Sequence, residues 1–482
     1  MFGWFAPRLS IPTAEKVLAE KRMKRLAQLL GINRLLSAPV ILPTSEFFPD
    51  PFHADEASAA ALLDRLCGYM RVAPHSVRLE VRDDDDMTGA AGLYEPDRHQ
   101  RTIVVTRSRL GSPVYLVPVL AHELGHEILL GGGLLTADDP DHEWLTDLVP
   151  TFLGLGILSA NGTVYDASWT DGSFGMSMVG KQGYLTSREL GYALALFAFA
   201  RDEWKPGWAC HLRPDAAVPF RAGLRYLHKT GDTLFHPDTA PLPDRPLDPA
   251  ELGERLRHGS PGFRLAALWD VANTDAPAPD LLDAVRGCVG DRDRDIAAGA
   301  VAALAAFGPV AAAAIPELIQ AVWYGESEVR PAAARALGRM GADADTVVPA
   351  LGKVLADRDS AVVRAAVEAL AEFGPAAAPC LPELTATIAG GVVAGQFDRV
   401  SGSRAPAPGA DRAERARTGV RRAGRRRGVL RHSVPPIECP AILRGRVRPP
   451  RVECLSILRK CFRPSAARSA ALHSTARHRH FQ

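Results

Sequence analysis

The sequence predicts a mainly α-helical protein in which a small α+β domain precedes a solenoid of stacked helix pairs. Three patterns predict this fold class: apolar residues at helical spacing near the start, a strand–turn–strand pattern between residues 92 and 105, and a 33-residue repeat that begins near residue 290. With 482 residues, the chain is also long enough for more than one domain.

The net charge of +2 is the sum of two unlike parts. Residues 397–482 carry 21 Lys and Arg against 5 Asp and Glu, a net charge of +16. The remaining residues 1–396 carry 36 basic and 50 acidic side chains, a net charge of −14. The sequence therefore predicts an acidic folded body followed by a basic tail.

The composition argues against a membrane or secreted protein. No stretch reaches about 18 uninterrupted apolar residues, and the apolar start is broken by Pro7 and Arg8, so we expect neither a transmembrane helix nor a signal peptide. The seven cysteines are scattered and odd in number, which does not fit a disulfide framework. We therefore expect a cytoplasmic protein.

The first elements are predicted from the spacing of apolar residues. Residues 14–30 and residues 56–70 carry apolar side chains at helical spacing, which predicts two amphipathic helices. Residues 92–94 and 101–105 are separated by a polar turn, which predicts two short strands. Thr186 and Glu189 have the spacing of a capping box, which predicts the start of a helix over residues 190–201.

A proline-rich stretch divides the front half of the chain from an alanine-rich back half. Five prolines fall between residues 237 and 249, and proline opposes helix continuation, so we expect a linker there. The predicted division is an N-terminal helical segment (1–50), an α+β domain (51–236), a linker (237–262), a repeat solenoid (263–390) and a basic, disordered tail (391–482).

The back half repeats every 33 residues. The positions in phase include three leucines, three glycines and three prolines: Leu304, Leu337 and Leu370; Gly308, Gly341 and Gly374; Pro316, Pro349 and Pro382. The pattern within each unit predicts a helix, a glycine-containing turn and a second helix that begins near the proline. One such pair cannot bury its apolar stripe alone, so stacking on neighbouring pairs is expected. Residues 264–290 fit the same register more loosely and are expected to cap the array.

This stretch of about 125 residues resembles the short HEAT-like repeats found in many bacterial proteins. The resemblance implies an α-solenoid that binds a protein partner on its curved face. The tail beyond it has arginine clusters but no interleaved aromatic residues. It is most simply a disordered extension, and binding of nucleic acid or another acidic surface is the functional alternative.

The clearest chemical motif is His122-Glu123-Leu124-Gly125-His126. Positions four apart on a helix share a face, so the two imidazoles can bind one zinc ion. Glu123 projects to the neighbouring side, where it can take a proton from a water molecule at the metal.

The third ligand is expected from a second helix, predicted to run from about residue 143 to residue 158. Glu143 and Asp147 are four residues apart and share a face of it, so Glu143 can bind zinc while Asp147 orients a zinc-bound histidine. Asp141, His142 and Asp147 stay open as alternative third ligands. Pro118 lies four residues before His122, so the motif helix is expected to start or kink there.

From about residue 90 to residue 160, the sequence resembles the gluzincin class of zinc metallopeptidases, in which H-E-x-x-H is followed by a glutamate ligand. The resemblance implies His122, His126 and Glu143 as zinc ligands and Glu123 as the catalytic base and acid. It implies Asp147 as the carboxylate that orients a ligand histidine.

The same resemblance implies a zincin-like fold over residues 51–236. In that fold, residues 101–105 would be the edge strand on which an extended peptide is bound. The H-x-x-G-x-x-H continuation of the three-histidine metzincin class does not follow His126. Tyr184 and His211 are candidates for stabilising an oxyanion, although a structural role is more common for each.

The predicted function is zinc-dependent hydrolysis of peptide bonds, with Zn²⁺ as cofactor and the repeats binding a protein partner. The expected substrate is a peptide or protein, and nucleic acid is expected only at the basic tail. The alternative is a non-catalytic interaction scaffold built on the repeats, with a structural or degenerate metal site in the front domain.

Overall fold

A computed structural model describes residues 9–73, 76–87, 90–96, 100–170, 175–181 and 183–389, with the backbone alone for residues 164–170, 175–181 and 388–389. The described chain is mainly helical and forms two compact units. The first comprises residues 9–247 and 259–266, and the second comprises residues 248–258 and 267–389. The basic tail, for which we predicted disorder, lies outside the described residues.

The first unit combines helices with two small sheets. Its helices are α1 (Thr13–Leu30), α2 (Ile32–Leu36), α3 (Glu56–Met70), α4 (Pro113–His126), α5 (His142–Phe152), α6 (Gly156–Gly162), α7 (Ser187–Ala200) and α8 (Pro214–Thr230). Its strands are β1 (Val77–Arg82), β2 (Gly92–Glu95), β3 (Arg101–Thr106), β4 (Val164–Thr170) and β5 (Gly175–Lys181). The predicted helices at 14–30 and 56–70, the two predicted strands and the capping box at Thr186 are confirmed.

The three-stranded sheet has the order β1-β3-β2. β3 is parallel to β1 and antiparallel to β2, whereas β4 and β5 form a separate antiparallel hairpin. The prediction that residues 101–105 form an edge strand is therefore wrong, because β3 is central and β2 is an edge. Ile103, Val104 and Val105 are all fully buried, and such an unbroken apolar run is typical of a central strand.

The helix that carries the zinc motif begins at Pro113 and passes through Pro118. The missing amide of Pro118 removes one hydrogen bond to the carbonyl of Val114. The ring of Pro118 lies against Gly162, where a β-carbon would come within 2.2 Å of it, so the glycine leaves room for the ring. The helix therefore starts at Pro113 and not at Pro118, so the alternative in which it starts at Pro118 is wrong.

The second motif helix is shorter than predicted. α5 ends at Phe152, and Gly154 follows with φ of +94°, in the left-handed region that glycine occupies without strain. A β-carbon at Gly154 would also lie 2.0 Å from the carbonyl oxygen of Pro39. The chain therefore breaks at 153–155, and α6 is a separate helix, so the predicted continuation to residue 158 is wrong.

The first helix is bound to the rest of the first unit by buried polar contacts. Glu20 is fully buried, and it accepts hydrogen bonds from the hydroxyl of Tyr192 (2.7 Å) and the amide of Leu234 (3.1 Å). Lys16, itself buried, lies 3.0 Å from Glu20. Burial raises the pKa of the Glu20 carboxyl even though these partners oppose the shift. α1 therefore belongs to the body of the unit.

The second unit is built from helices. They are α9 (Pro249–Leu256), α10 (Pro261–Ala272), whose first turns belong to the first unit, α11 (Leu282–Arg286), α12 (Arg294–Phe307), α13 (Ile315–Tyr324), α14 (Val329–Met340), α15 (Ala344–Val354), α16 (Ser360–Phe373) and α17 (Leu381–Ala389). The proline-rich stretch is therefore partly helical. Pro249 is the first residue of α9, where its missing amide costs no hydrogen bond, and Asp248 and Glu251 form a capping box.

The 33-residue period matches the helix pairs α12–α13, α14–α15 and α16–α17. The three periodic leucines are buried, and the glycines at 308, 341 and 374 all have φ between +55° and +57° directly after the first helix. Pro316 and Pro382 stand at the second position of their helices. Pro349 instead lies inside α15, because that helix starts at Ala344 without the 3₁₀ turn present in the other two pairs.

One helical stretch in the described residues, Arg294–Tyr324, is long and apolar enough to cross a membrane by length and composition alone. Half of its most apolar window is buried in the protein. The stretch combines α12, a 3₁₀ turn and α13, and many of its apolar residues, such as Ile296, Leu304 and Leu318, are buried in the repeat. Core helices of soluble proteins pass the same test, so this is weak evidence for a membrane span.

The N-cap of α16 provides a test of the repeat geometry. Asp359 accepts a hydrogen bond from the amide of Ala361 at 2.8 Å. Asp293, at the same position two repeats earlier, accepts one from the amide of Asp295. We expect Asp359→Ala to lower the free energy of unfolding by about 1 kcal/mol. Urea denaturation followed by circular dichroism measures it. Asp359→Asn keeps the acceptor and should lose far less; equal losses would contradict the capping role.

Candidate metal centre

The residues of the predicted zinc motif meet where α4 packs against α5. α4 presents His122 and His126, and the first turn of α5 presents Glu143. Among the described residues, these three form the one cluster of His, Cys, Asp and Glu side chains suited to a metal ion, with ligand atoms within 4.8 Å of one another. His126 and Glu143 are buried, and His122 is partly exposed.

Two separations between the ligand atoms match those of a tetrahedral metal site. Oε2 of Glu143 lies 3.5 Å from Nε2 of His122 and 3.4 Å from Nε2 of His126. Ligands about 2.1 Å from a zinc ion at tetrahedral angles are separated by about 3.4 Å. Two imidazole nitrogens and one carboxylate oxygen are also a common zinc donor set. The chemistry of these donors and the two separations from Glu143 therefore fit zinc.

The outer nitrogens of both histidines face hydrogen-bond acceptors. Nδ1 of His122 lies 2.6 Å from Oδ1 of Asp147. Nδ1 of His126 lies 3.4 Å from Oγ1 of Thr146, which donates its own proton to the carbonyl of His142 at 2.7 Å. A proton held on each Nδ1 by these acceptors would leave the Nε2 lone pairs of both imidazoles available to a bound metal ion.

Burial and charge act in opposite directions on the three groups. Burial would lower the pKa of His122, but the carboxylates of Asp147, Glu143 and Glu123 outweigh it and raise that pKa well above its usual value. Burial lowers the pKa of His126, and the neighbouring His122 adds to that effect. Burial would raise the pKa of Glu143, but the two histidines hold it far below its usual range. Glu143 is therefore an anion.

Asp147 is fixed on both of its oxygens. Oδ1 accepts from His122, and Oδ2 accepts from the backbone amides of Tyr184 (2.6 Å) and Leu185 (2.9 Å). Gly183, just before them, has φ of +82°, and a β-carbon there would lie 3.0 Å from Asp147. The carboxylate is thus held by the chain that leads into α7.

The structure brings Glu143 to the histidines and directs the other three candidate ligands elsewhere. Asp141 accepts from Arg22 of α1 at 3.0 Å. His142 lies 3.2 Å from the far oxygen, Oε1, of Glu143, and its Nδ1 lies 2.7 Å from the carbonyl of Asp139. Asp147 binds His122 from behind.

Glu123 is buried beside the edge strand β2. It is 4% exposed, and a β-carbon at Gly92 would lie 2.6 Å from Oε1 of Glu123 and 2.5 Å from a methyl group of Val119. Only a residue without a side chain allows the strand to approach the glutamate so closely. The side chain of the predicted base therefore lies between helix α4 and strand β2.

A second buried carboxylate joins the sheet to the end of α4. Glu127 accepts a hydrogen bond from the hydroxyl of Tyr94 at 2.6 Å and forms an ion pair with Arg101. Arg101 also donates to the carbonyl of Gly131 at 3.1 Å, in the π-helical turn Glu127–Gly131 that follows α4. The ring of Tyr94 stacks on His126, with ring centroids 6.3 Å apart.

Of the two candidate oxyanion donors, the structure brings Tyr184 to the centre. Its ring stacks on His122 with centroids 6.4 Å apart, and burial together with the charges of Glu143, Asp147 and Glu123 raises its pKa well above the usual value. The phenol therefore stays protonated and can donate. His211 ends a 3₁₀ turn, Gly207–His211, where its carbonyl accepts from Asn161.

Sequence reasoning missed Thr146, Gly92 and Tyr94. Thr146 stands between the two acids that were identified, but a threonine in a helix carries no distinctive signal. Gly92 and Tyr94 were assigned to a strand, and the strand pattern does not reveal which helix it meets. Each of the three contacts a residue that lies at least 20 positions away in the sequence.

Residues 315–395 match the family model for HEAT repeats. The second unit thus contains HEAT repeats, which confirms the repeat part of the sequence prediction, and such repeats generally mediate protein–protein interactions. No curated protein matches the chain.

Gly125 sets the distance between the two helices of the centre, and its substitution gives a test. A β-carbon there would lie 2.9 Å from both the carbonyl oxygen and a methyl carbon of Thr146. We expect Gly125→Ala to lower the free energy of unfolding by about 1–3 kcal/mol, because α5 must move away. Urea denaturation measures the change.

The matched control is Gly68→Ala near the end of α3, where no atom lies within 4 Å of the added carbon. Alanine is the better helix former, so this variant should gain up to about 1 kcal/mol. A gain in both variants would show that α4 and α5 are not in close contact at Gly125.

Proposed function

We propose that this protein is a zinc-dependent peptidase with HEAT repeats that bind a protein partner. The observation that carries the proposal is the meeting of three ligand atoms, with Glu143 Oε2 at 3.5 and 3.4 Å from the Nε2 atoms of His122 and His126. A bound zinc ion would act as a Lewis acid on the scissile carbonyl and lower the pKa of a water molecule. The remaining roles belong to side chains of the first unit.

Glu123 is the proposed general base and acid. It does not belong to the ligand cluster, yet its charge contributes to the pKa shifts of both His122 and Tyr184, so its carboxylate lies near them. In the proposed reaction it takes a proton from the attacking water and passes it to the leaving amine. The protonated phenol of Tyr184 would donate a hydrogen bond to the oxyanion.

The free edge of β2 is the proposed binding surface for the substrate backbone. In the described residues β2 pairs only with β3, and Gly92 of β2 lies against Glu123. An extended peptide that adds to this edge would gain main-chain hydrogen bonds and pass beside the base. This assignment replaces residues 101–105 as the peptide-binding strand and supports an extended peptide or unfolded protein segment as substrate.

A non-catalytic interaction scaffold is the second candidate function. The match to HEAT repeats favours it, because repeat arrays of this kind bind proteins without any chemistry of their own. In that case, the cluster on α4 and α5 would hold a metal ion for stability only. We propose the cytoplasm as the location for either function.

Replacement of the base distinguishes the two functions. We expect Glu123→Gln to bind zinc as the unchanged protein does and to cleave a peptide library at least 100-fold more slowly, since loss of general acid–base catalysis costs 10²- to 10⁴-fold. Metal analysis of the purified protein and mass spectrometry of the products measure both properties.

Glu46→Gln is the matched control, because it makes the same change at an exposed glutamate of the same unit. It should cleave at the unchanged rate. Equal cleavage by the unchanged protein and Glu123→Gln, or cleavage by neither in the presence of zinc, would favour the scaffold.

Loss of the hydrogen bond that orients His122 should weaken metal binding. We expect Asp147→Asn to lower the affinity for Zn²⁺ by 10- to 100-fold, since an amide can present its donor to Nδ1 and disturb the tautomer. Competition with a chromophoric zinc chelator measures the affinity. Asp86→Asn, at an exposed aspartate of the acidic turn, should leave it unchanged, and the same affinity in both variants would exclude Asp147 from the centre.

A further inference from the structure

A groove of about 610 Å³ lies in the first unit, between α8 and the turn that follows α7. We call it the α8 groove. Basic and aromatic side chains line it, among them Trp204, Lys205, Arg221, Arg225, His228 and Lys229. None of these residues belongs to the candidate metal centre.

Three of the cations form a row along α8. Arg221, Arg225 and Lys229 follow one another at intervals of four residues, so they share one face of the helix at steps of about 6 Å. All three are exposed, and in the described part of the chain no carboxylate pairs with any of them. By contrast, the nearby Arg201 and Arg213 pair with Glu203 and Asp215.

An exposed tryptophan stands beside this row. Trp204 is 62% exposed, and its ring stacks on His228 with centroids 3.9 Å apart and an angle of 17° between the rings. Its Nε1 donates to Oδ1 of Asp202 at 3.0 Å, which fixes the orientation of the ring. His228 covers one face of the indole, so the opposite face is an oriented flat surface open to a ligand.

The row of cations and the exposed indole face together indicate one kind of partner. A row of unpaired cations, in a body whose residues 1–396 carry a net charge of −14, attracts a chain of negative charges. A flat indole surface at the end of that row suits a planar ring. An acidic peptide supplies charges but offers a planar ring only where an aromatic residue happens to fall, and a lipid surface is not shaped to enter a groove.

Single-stranded nucleic acid supplies both features, because its phosphates track a basic groove while its bases stack on aromatic side chains. We propose that the α8 groove binds single-stranded nucleic acid, with phosphates at Arg221, Arg225 and Lys229 and a base stacked on Trp204. The site is independent of the basic tail, to which the sequence alone assigned any nucleic acid, and of the proposed peptidase chemistry.

The test uses the full chain and a fluorescein-labelled oligothymidylate, with fluorescence anisotropy at several salt concentrations. The tail is the same in every variant, so differences report on the groove. We expect the triple variant Arg221→Glu, Arg225→Glu, Lys229→Glu to bind more weakly and to lower the slope of log affinity against log salt by about 2, since each lost phosphate contact removes about 0.7.

The control is Arg292→Glu, Arg358→Glu, Arg364→Glu, which changes the net charge equally at exposed arginines of the second unit. It should keep the slope within about half a unit of that of the unchanged chain. A loss as large as that of the groove variant would show that binding follows total charge and would overturn the proposal.

The tryptophan gives a second readout that does not depend on charge. We expect Trp204→Ala to lower the affinity by about 5- to 150-fold and Trp204→Phe to retain most of it, since base stacking needs an aromatic face. Polyglutamate or anionic phospholipid vesicles should compete poorly. Competition by either one as strong as that by unlabelled oligothymidylate, or full affinity in Trp204→Ala, would reject the groove as a nucleic-acid site.

Discussion

The close approach of α4 to α5 at Gly125 is the contact on which the candidate metal centre depends. A β-carbon at Gly125 would collide with the backbone of Thr146, so the two helices can touch only because this position has no side chain. At that separation, Glu143 reaches both histidines, Thr146 reaches His126 and Asp147 reaches His122. A shift of about 1 Å between the helices would alter all three contacts together, since each depends on a short polar distance.

The centre is surrounded by carboxylates that are themselves held in place. Asp147 is fixed by two backbone amides, and Glu127 is fixed by Tyr94 and Arg101. Buried charges of this kind are costly unless hydrogen bonds satisfy them, so such a cluster stays ordered only as a whole. The sheet therefore contributes to the candidate centre through Tyr94, Arg101 and Gly92, although it carries none of the three candidate metal ligands.

The two units of the chain differ in the side chains that they bury. The first unit has a mixed core with several buried ionisable groups, among them Glu20, Glu127 and Glu143. The second unit repeats one helix pair and fills its interior with alanine, leucine and valine, so each pair depends on its neighbours for burial. Proposed chemistry and nucleic-acid binding lie on the first unit, and protein binding is a property of the repeats on the second. This separation allows each function to be altered by substitutions that leave the other unit unchanged.

The sequence by itself determined the periodic and local features of this protein. Short-range geometry relates residues a few positions apart, so the order of side chains in the sequence reveals it. It accounts for the 33-residue repeat, for the helices of residues 13–30 and 56–70 and for the four-residue spacing of the histidines. The glycines that follow the first helix of each repeat are also local features, because each has a positive φ. Gly308, Gly341 and Gly374 recur because each position has a positive φ, although ψ at Gly341 (18°) differs from ψ at Gly308 (−138°) and Gly374 (−123°).

Only the tertiary structure decided which elements meet. The central position of β3 depends on its pairing with β1, and the end of α5 depends on the chain that crosses at Pro39. The choice of Glu143 over its acidic neighbours depends on Arg22 and on the amides of residues 184 and 185. A contact between residues far apart in the sequence produces no periodic pattern in that sequence. Each partner, taken alone, is an ordinary residue of its helix or strand.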